Sequence, residues 1–140
     1  MLSEVTEETF EAIVELAGPE ADVPVEFFEL RHLGGAFGRQ VGPAGAVGNR
    51  DARFAVWILS MGPPAEGDPA TAYAEGALAR LQPWSTGHTY LNFTSSGSTP
   101  VRVEEGYTYQ AYERLRAVKS VYDPQNVFRL NENIPPIGTA

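Results

Sequence analysis

Cysteine is absent from this chain of 140 residues. Its absence excludes disulfides, a thiolate nucleophile, and zinc or iron–sulfur sites built on cysteine. It also excludes a cofactor attached to this chain through sulfur. Any covalent or metal chemistry must therefore use other side chains.

Histidine is nearly as scarce, since His32 and His88 are the two in the chain. They lie far apart in the sequence, and neither has a second ligand at the spacing that places two metal ligands on one helix face. We therefore expect structural histidines and no metal site. The chain also lacks a Walker loop, a G-x-G-x-x-G fingerprint and a G-x-S-x-G elbow. Taken alone, the residues form no recognisable catalytic constellation.

Positive charge is in short supply, because 10 Lys and Arg face 18 Asp and Glu, for a net charge of −8. Such a chain repels phosphate backbones, so we expect no nucleic-acid partner. No apolar run approaches the roughly 18 residues of a membrane span, and the N-terminus lacks the pattern of a secretory signal. The sequence predicts a soluble, cytoplasmic protein with no membrane partner.

Hydrophobic residues are plentiful, at 43%, and are accompanied by 14 Gly and 11 Pro. Helical periodicity predicts three helices, at residues 7–17, 69–81 and 108–122. Thr6 is the expected N-cap of the first, and Asp123-Pro124 is the expected stop of the third. The apolar face of the first helix is predicted to carry Phe10, Ile13, Val14 and Ala17.

Three segments read as strands, at residues 23–33, 53–61 and 88–94, and a glycine-rich loop spans residues 34–52. A loop this long inside a compact domain is usually functional or disordered. Alternation along the third strand predicts Tyr90 and Asn92 on one face. The order of elements predicts an α+β fold, an antiparallel sheet with helices packed on one face, with a parallel βαβ arrangement as the competitor.

Residues 112–136 read YERLRAVKSVYDPQNVFRLNENIPP. This stretch resembles the C-terminal segment of the berberine-bridge-enzyme-like FAD-linked oxidases. Their pattern is Y-x-R-L-x-x-V-K, then Y-D-P-x-N-x-F-R, then an Asn-rich run ending in I-P-P. GHTYLNF at residues 87–93 resembles the family's Y-x-N-[Y/F], and ELRHLGGAFGRQ and AVGNRDARFAVWI at residues 29–40 and 46–58 resemble its upstream segments.

The resemblance implies that the chain corresponds to the C-terminal part of a longer FAD-dependent oxidoreductase. Residues 1–106 would be a partial substrate-binding α+β domain, and residues 107–140 the family's C-terminal helix and extended tail, together one compact unit. The FAD-binding domain is the implied partner, in cis or in trans. The implied parent reaction is hydride abstraction by flavin from an alcohol or amine, a small organic substrate, with oxygen as the acceptor. We expect this chain alone to be inactive and not to hold FAD.

The family's pattern also implies site residues. Tyr90 and Asn92 would contact the flavin, while the substrate pocket would be lined by Phe37, Arg39, Ile58 and Phe93. Phe93 stands where many plant members have a tyrosine base, and a phenyl ring has no proton to exchange. Ile58 stands where the same members carry Gln or Glu. No catalytic residue is therefore assigned to this chain.

Simpler alternatives remain open for the same residues. Tyr90 and Phe93 could be core aromatics, and Arg39 an exposed loop charge. In the tail, the resemblance implies that Phe128 and Ile134 are apolar plugs against the flavin-binding domain, with Asn126, Asn131 and Asn133 satisfying backbone groups. The alternative is that the tail packs on this chain's own sheet. The whole chain could also be a non-catalytic binding or assembly module that recruits partners through an open sheet edge.

Overall fold

The computed structural model describes residues 1–42, 45–61, 67–94 and 102–138. The helices are α1 (Glu7–Ala17), α2 (Pro69–Leu81) and α3 (Tyr109–Tyr122), and the strands are β1 (Phe27–His32) and β2 (Phe54–Leu59). The chain divides into two compact units. The strand unit comprises Met1–Gly38 with Asp51–Gly87, and the tail unit comprises Arg39–Arg50 with His88–Ala140. The functional boundary expected between residues 106 and 107 stays a prediction.

The two strands form an antiparallel pair, with Phe27 opposite Leu59 and His32 opposite Phe54. Both strands are rich in aromatic, β-branched and other apolar residues, which suit a pleated surface. Leu2 bridges to Phe54 on the other side of β2. The antiparallel pairing confirms the predicted α+β class and rules out the parallel competitor for these strands.

Helix α1 begins with the predicted cap. Thr6 Oγ1 accepts a hydrogen bond from Thr9 N at 3.2 Å, and Thr6 N donates to Thr9 Oγ1 at 3.1 Å. The predicted apolar face is partly wrong, because Phe10 and Val14 are exposed while Thr9 and Ala12 are buried. Thr9 can be buried because its hydroxyl is hydrogen-bonded within the cap.

Helix α2 begins at Pro69, as predicted, and the preceding Asp68 caps it by accepting hydrogen bonds from Ala70 N and Thr71 N. Proline suits the first helical turn because its missing N–H has no partner there. Tyr73 on α2 donates from its hydroxyl to the carbonyl oxygen of residue 16 at 2.8 Å. This bond ties α2 to the end of α1.

The core of the strand unit lies between one face of the sheet and the first two helices. Leu2, Ala12 and Leu81 form its buried centre. Partly buried hydrophobic residues surround them: Val5, Ile13, Leu16, Phe28, Leu30, Phe54, Val56 and Trp84. Because strand residues alternate between faces, Phe28 and Leu30 point toward the helices and Glu29 and Arg31 point away.

In the tail unit, the third predicted helix is confirmed to within one residue. Thr108 is its N-cap and accepts a hydrogen bond from Ala111 N at 3.3 Å. The helix ends at Asp123, whose N–H donates to Lys119 O at 2.8 Å, and Pro124 follows. Proline disfavours helical geometry in the residue before it, which explains the abrupt end.

The third predicted strand, at residues 88–94, is wrong. Leu91–Phe93 form a short 3₁₀ turn, in which Phe93 N donates to Tyr90 O at 2.9 Å. The side chain of Thr94 reinforces the turn by donating to Leu91 O at 2.8 Å. A strand needs a neighbouring ladder, and no strand among the described residues pairs with this segment. The backbone therefore satisfies itself locally, and the one-face placement of Tyr90 and Asn92 is lost.

Candidate functional site

The tail unit contains an open cavity of about 260 Å³. Its walls come from three places in the sequence: residues 46–48 of the glycine-rich loop, Leu91 and Asn92 of the 3₁₀ turn, and Gly106 with Tyr107 before α3. Part of the predicted loop and part of the predicted cofactor segment therefore meet at one cavity.

Two glycines allow these walls to approach closely. A Cβ on Gly48 would lie 3.0 Å from Thr108 N, and one on Gly106 would lie 2.4 Å from Leu91 Cγ. Any other residue at position 106 would displace Leu91, which forms the opposite wall. The need at both positions is for space, because neither glycine has a positive φ.

Asn49 anchors the loop side of the cavity. It is buried, has a φ of 56°, and donates from Nδ2 to Glu105 O at 3.2 Å. Thr89 N donates to the same carbonyl oxygen at 3.1 Å. One acceptor thus ties the loop and the segment leading to the 3₁₀ turn together. Asparagine suits the position because it tolerates left-handed geometry and can bond across the gap.

The predicted flavin contacts lie in or beside this cavity. Asn92 lines it and is exposed, whereas Tyr90 is half-buried. The Tyr90 and Phe93 rings pack with centroids 4.9 Å apart and planes tilted by 55°. Such a tilted pair is favourable and holds the 3₁₀ turn closed. The structure brings these three residues together, while their contact with flavin stays a prediction.

The remaining predicted pocket residues are spread over both units. Phe37 is half-buried in the turn after β1, and Arg39 is exposed at the start of the tail unit's first segment. Ile58 pairs with Phe28, so alternation places it on the side of the sheet that faces the helices. Their shared role as a substrate pocket stays a prediction.

After α3, the chain is held by a cluster centred on Asp123. Its Oδ1 accepts a hydrogen bond from Val127 N at 2.8 Å, and its Oδ2 accepts one from Phe128 N at 3.1 Å. Lys119 Nζ lies 2.5 Å from Asp123 Oδ2 and donates to Phe128 O at 2.6 Å. We call these four residues the Asp123 clasp. The hydrogen bond from Lys119, assisted by those from the two backbone N–H groups, lowers the pKa of Asp123.

Burial around the clasp is inverted relative to an ordinary core. The side chains of Lys119 and Asp123 are only 16% and 12% exposed, whereas Phe128 is 82% and Leu130 86% exposed. The charged pair is covered and the large apolar side chains face outward. Phe128 is therefore not packed within this chain, and its role as an apolar plug against a flavin-binding domain stays a prediction.

The asparagines of the tail serve the backbone conformation. Asn126 and Asn131 have φ values of 52° and 59°. Among the described residues, Oδ1 of Asn126 and Oδ1 of Asn133 accept no hydrogen bond. Asparagine is one of the few residues other than glycine that adopt such φ values readily. For these oxygens, the expected role of satisfying backbone groups is not observed.

The end of the tail returns along α3. Arg116 Nε donates to Pro135 O at 3.3 Å, and Ile137 N donates to Ser120 Oγ at 2.8 Å. Pro136 is fully buried. Because proline restricts the backbone, the I-P-P ending is a stiff segment anchored on the helix.

The tail unit contains the part of the chain that matches the model of a known family. The model of the family described as "Berberine and berberine like" matches residues 89–135, from the cavity turn to the tail. Residues 89–135 thus have the berberine-like pattern of this family. The berberine-like segment thus contains the turn at Leu91–Phe93, helix α3 and the Asp123 clasp.

Three curated relatives extend the match. The uncharacterized FAD-linked oxidoreductase YgaK of Bacillus subtilis is 33% identical over 109 residues, 75% of this chain and 23% of its own length. The (R)-6-hydroxynicotine oxidase of Paenarthrobacter nicotinovorans is 43% identical over 65 residues, 46% of this chain and 14% of its own. The uncharacterized FAD-linked oxidoreductase YvdP of B. subtilis is 31% identical over 83 residues, 59% of this chain and 18% of its own. The chain spans about a quarter or less of the length of these relatives.

The cavity does not fit a whole FAD. At about 260 Å³ it is smaller than the roughly 300–1,000 Å³ of small-molecule pockets. Among the described residues no basic side chain lines it to face a pyrophosphate, and the polar side chains of its lining are those of Asn92 and Tyr107. It could contact one edge of a ring that is held elsewhere. In the described part of the chain, no three His, Asp or Glu side chains could hold a metal ion.

Within residues 1–42, 45–61, 67–94 and 102–138, no helix is both long and apolar enough to cross a membrane.

Several features of this unit escaped sequence reasoning. The spacing of Lys119 and Asp123, four residues apart across a helix end, was a readable signal for an ion pair. The two backbone bonds to Asp123 depend on the turn that follows, so they were not readable. The close contacts at Gly48 and Gly106 join distant segments and had no local signal.

Proposed function

We propose that this chain is the C-terminal, substrate-covering part of an FAD-dependent oxidoreductase. A flavin-binding domain, in cis or in trans, would complete it. The family match over residues 89–135 and the much greater length of the FAD-linked relatives support this proposal. On this view the isolated chain is inactive and does not retain FAD.

The observation that carries the proposal is the outward apolar surface of α3 and the following loop. Val118 and Tyr122 are exposed one helical turn apart, next to exposed Val121. Val127, Phe128 and Leu130 are exposed in the loop. We call these six residues the docking surface. Large exposed apolar groups concentrated in one region mark interaction sites, and the flavin-binding domain is the partner we assign to them.

The proposed parent reaction is hydride transfer from a C–H bond of an alcohol or amine to flavin, with oxygen as the final acceptor. Flavin supplies the hydride acceptor when it is bound. Asn92 would hydrogen-bond the ring edge, and the packed Tyr90 and Phe93 would form an apolar wall beside it. Phe93 cannot exchange a proton, so the chain would shape the pocket and exclude water while any base lies outside it.

A chimera tests this proposal. Residues 25–137 of this chain replace the matching segment of YgaK, and bound flavin is measured by absorbance after gel filtration. We expect the chimera to retain FAD, and the double substitution Phe128→Asp, Leu130→Asp to lose most of it. Phe27→Asp is the matched control, because Phe27 is also exposed but lies in the strand unit.

The isolated chain gives the complementary measurement. We expect its visible spectrum to be free of flavin absorbance after purification in excess FAD. A stoichiometric flavin band would contradict the proposal, and so would a well-folded chimera that holds no FAD.

One observation favours the alternative of a binding or assembly module. Among the described residues β1 pairs with β2 alone, so the outer edge of β1 has no partner strand there. Open edges recruit other strands. Self-association of the purified chain in gel filtration, abolished by proline at position 32, whose N–H faces the open edge, but unaffected by Phe128→Asp, would favour this alternative.

A further inference from the structure

We propose that the Asp123 clasp is a positioning device that sets the docking surface before the partner arrives. The inference rests on the proposed function and names what controls the docking of that surface. It assigns Lys119 and Asp123 the role of positioning residues, which act through the backbone of residues 127 and 128 and not by touching the partner.

The geometry holds Phe128 from both sides. Its N–H is bound by Asp123 Oδ2 at 3.1 Å, and its carbonyl oxygen is bound by Lys119 Nζ at 2.6 Å. Lys119 and Asp123 are themselves paired at 2.5 Å, which closes the cycle. A residue whose N–H and carbonyl are both held has little backbone freedom, so the direction of its side chain is set.

Stabilisation of α3 does not explain why a carboxylate side chain lies at position 123. Asp123 is the C-cap of α3, where the helix dipole is negative and disfavours an anion. Lys119, in the last turn, already suits the dipole without a partner. What the Asp123 carboxylate adds is the pair of bonds to the backbone of Val127 and Phe128. The carboxylate is thus explained by the two hydrogen bonds with which it holds the loop after α3.

The consequence for docking is pre-organisation. A free loop carrying exposed apolar side chains would lose conformational freedom when it binds, which weakens association. The Asp123 clasp already restricts the loop in the unbound chain, so less conformational freedom is lost on binding. Because Lys119 and Asp123 are covered, their pairing is less screened than that of Arg102 and Glu104, which are 69% and 46% exposed.

The first arm of the test measures the clasp itself in the full chain. Asp123→Asn and Lys119→Met should each accelerate amide hydrogen exchange at Val127 and Phe128, measured by NMR. Glu104→Gln is the matched control, because it removes an exposed ion pair of the same unit and should leave both rates unchanged. Lys119→Arg keeps the charge and should preserve most of the protection.

The second arm measures docking in the YgaK chimera by the concentration of urea at which FAD is released. Asp123→Asn and Lys119→Met should each weaken flavin-domain association by about tenfold, the scale of ordering one or two side chains. The double variant should resemble either single variant, because both break one unit. Far-ultraviolet circular dichroism checks that α3 remains folded in each case.

The outcomes separate this inference from the proposed function. Faster exchange with unchanged FAD retention overturns the clasp's role in docking and leaves the proposed function standing. A wild-type chimera that folds without FAD overturns the proposed function, whatever the exchange rates show. If Asp123→Asn unfolds α3, the comparison of Lys119→Arg with Lys119→Met tests the inference instead. Of these two variants, the one that better protects the Phe128 amide from exchange must also retain more FAD.

Discussion

The strand unit and the tail unit use their apolar residues in opposite ways. Helices α1 and α2 each bury residues in a core with Leu2, whereas α3 has no buried residue and exposes much of its apolar face. The strand unit is held by hydrophobic burial, while the loop after α3 is held by a covered ion pair and backbone bonds. The difference indicates that the exposed apolar groups of α3 and of the loop after it contribute little to the stability of this chain.

Leu81→Ala and Phe128→Ala give the largest expected contrast between the units. Leu81 is buried in the core, so its truncation should lower the free energy of unfolding by about 2–5 kcal/mol. Phe128 is exposed, so its truncation should change that energy by less than about 0.5 kcal/mol. Urea denaturation followed by circular dichroism measures both. Equal losses would mean that Phe128 supports the fold.

Gly106→Ala should give the next largest effect, in the tail unit. The new Cβ would lie 2.4 Å from Leu91 Cγ, and overpacking of this kind costs about 1–3 kcal/mol. Gly76→Ala is the matched control, since its Cβ would meet open space within α2 and should stabilise by roughly 0.8–1 kcal/mol. Thermal unfolding compares the two. A neutral Gly106→Ala would show that Leu91 yields easily.

Loss of either threonine N-cap should change the free energy of unfolding by a smaller amount, and the two caps should differ from each other. Thr6 belongs to a reciprocal capping box, and its loss should cost about 1 kcal/mol. Thr108 caps α3 through one bond in an exposed setting, so Thr108→Ala should cost less. Urea midpoints of the two variants measure the order. The reverse order would indicate that α3 contributes more to stability than its exposure suggests.

Acid pH should affect the clasp with the smallest change in global stability. The folded pKa of Asp123 is lowered by Lys119 and the backbone N–H groups, so its contribution is present above the ordinary aspartate range and is lost as pH falls through the lowered value. NMR titration of the Val127 amide should therefore report release of the loop only below the ordinary titration range of an aspartate. The strand unit's amides serve as the internal reference. Release near neutral pH would contradict the assigned cause.

Local patterns predicted much of this protein. Pro69 and Leu81 bound α2 as expected, Thr6 caps α1, and Asp123-Pro124 ends α3. These features depend on residues within a few positions of each other, where propensity and capping rules act. The family of residues 89–135 was likewise readable, because the motif is continuous in sequence.

The segment at residues 88–94 shows where such reasoning fails. Its alternation predicted a strand, but a strand depends on a partner elsewhere, and the described residues supply none. The prediction of which side of α1 is buried was wrong for a related reason. Periodicity placed Phe10 inward, whereas the structure buries Thr9 and Ala12 and leaves Phe10 exposed.

By itself the sequence determined the helices, their ends and the berberine-like segment, because each follows from neighbouring residues or a continuous motif. It favoured an antiparallel over a parallel sheet, and the pairing of β1 with β2 decided between them. The tertiary structure alone decided that Leu91 meets Gly106, that Asp123 holds Val127 and Phe128, and that Phe128 faces outward. Those outcomes depend on contacts between segments and on which groups find a polar partner, and no local pattern encodes either.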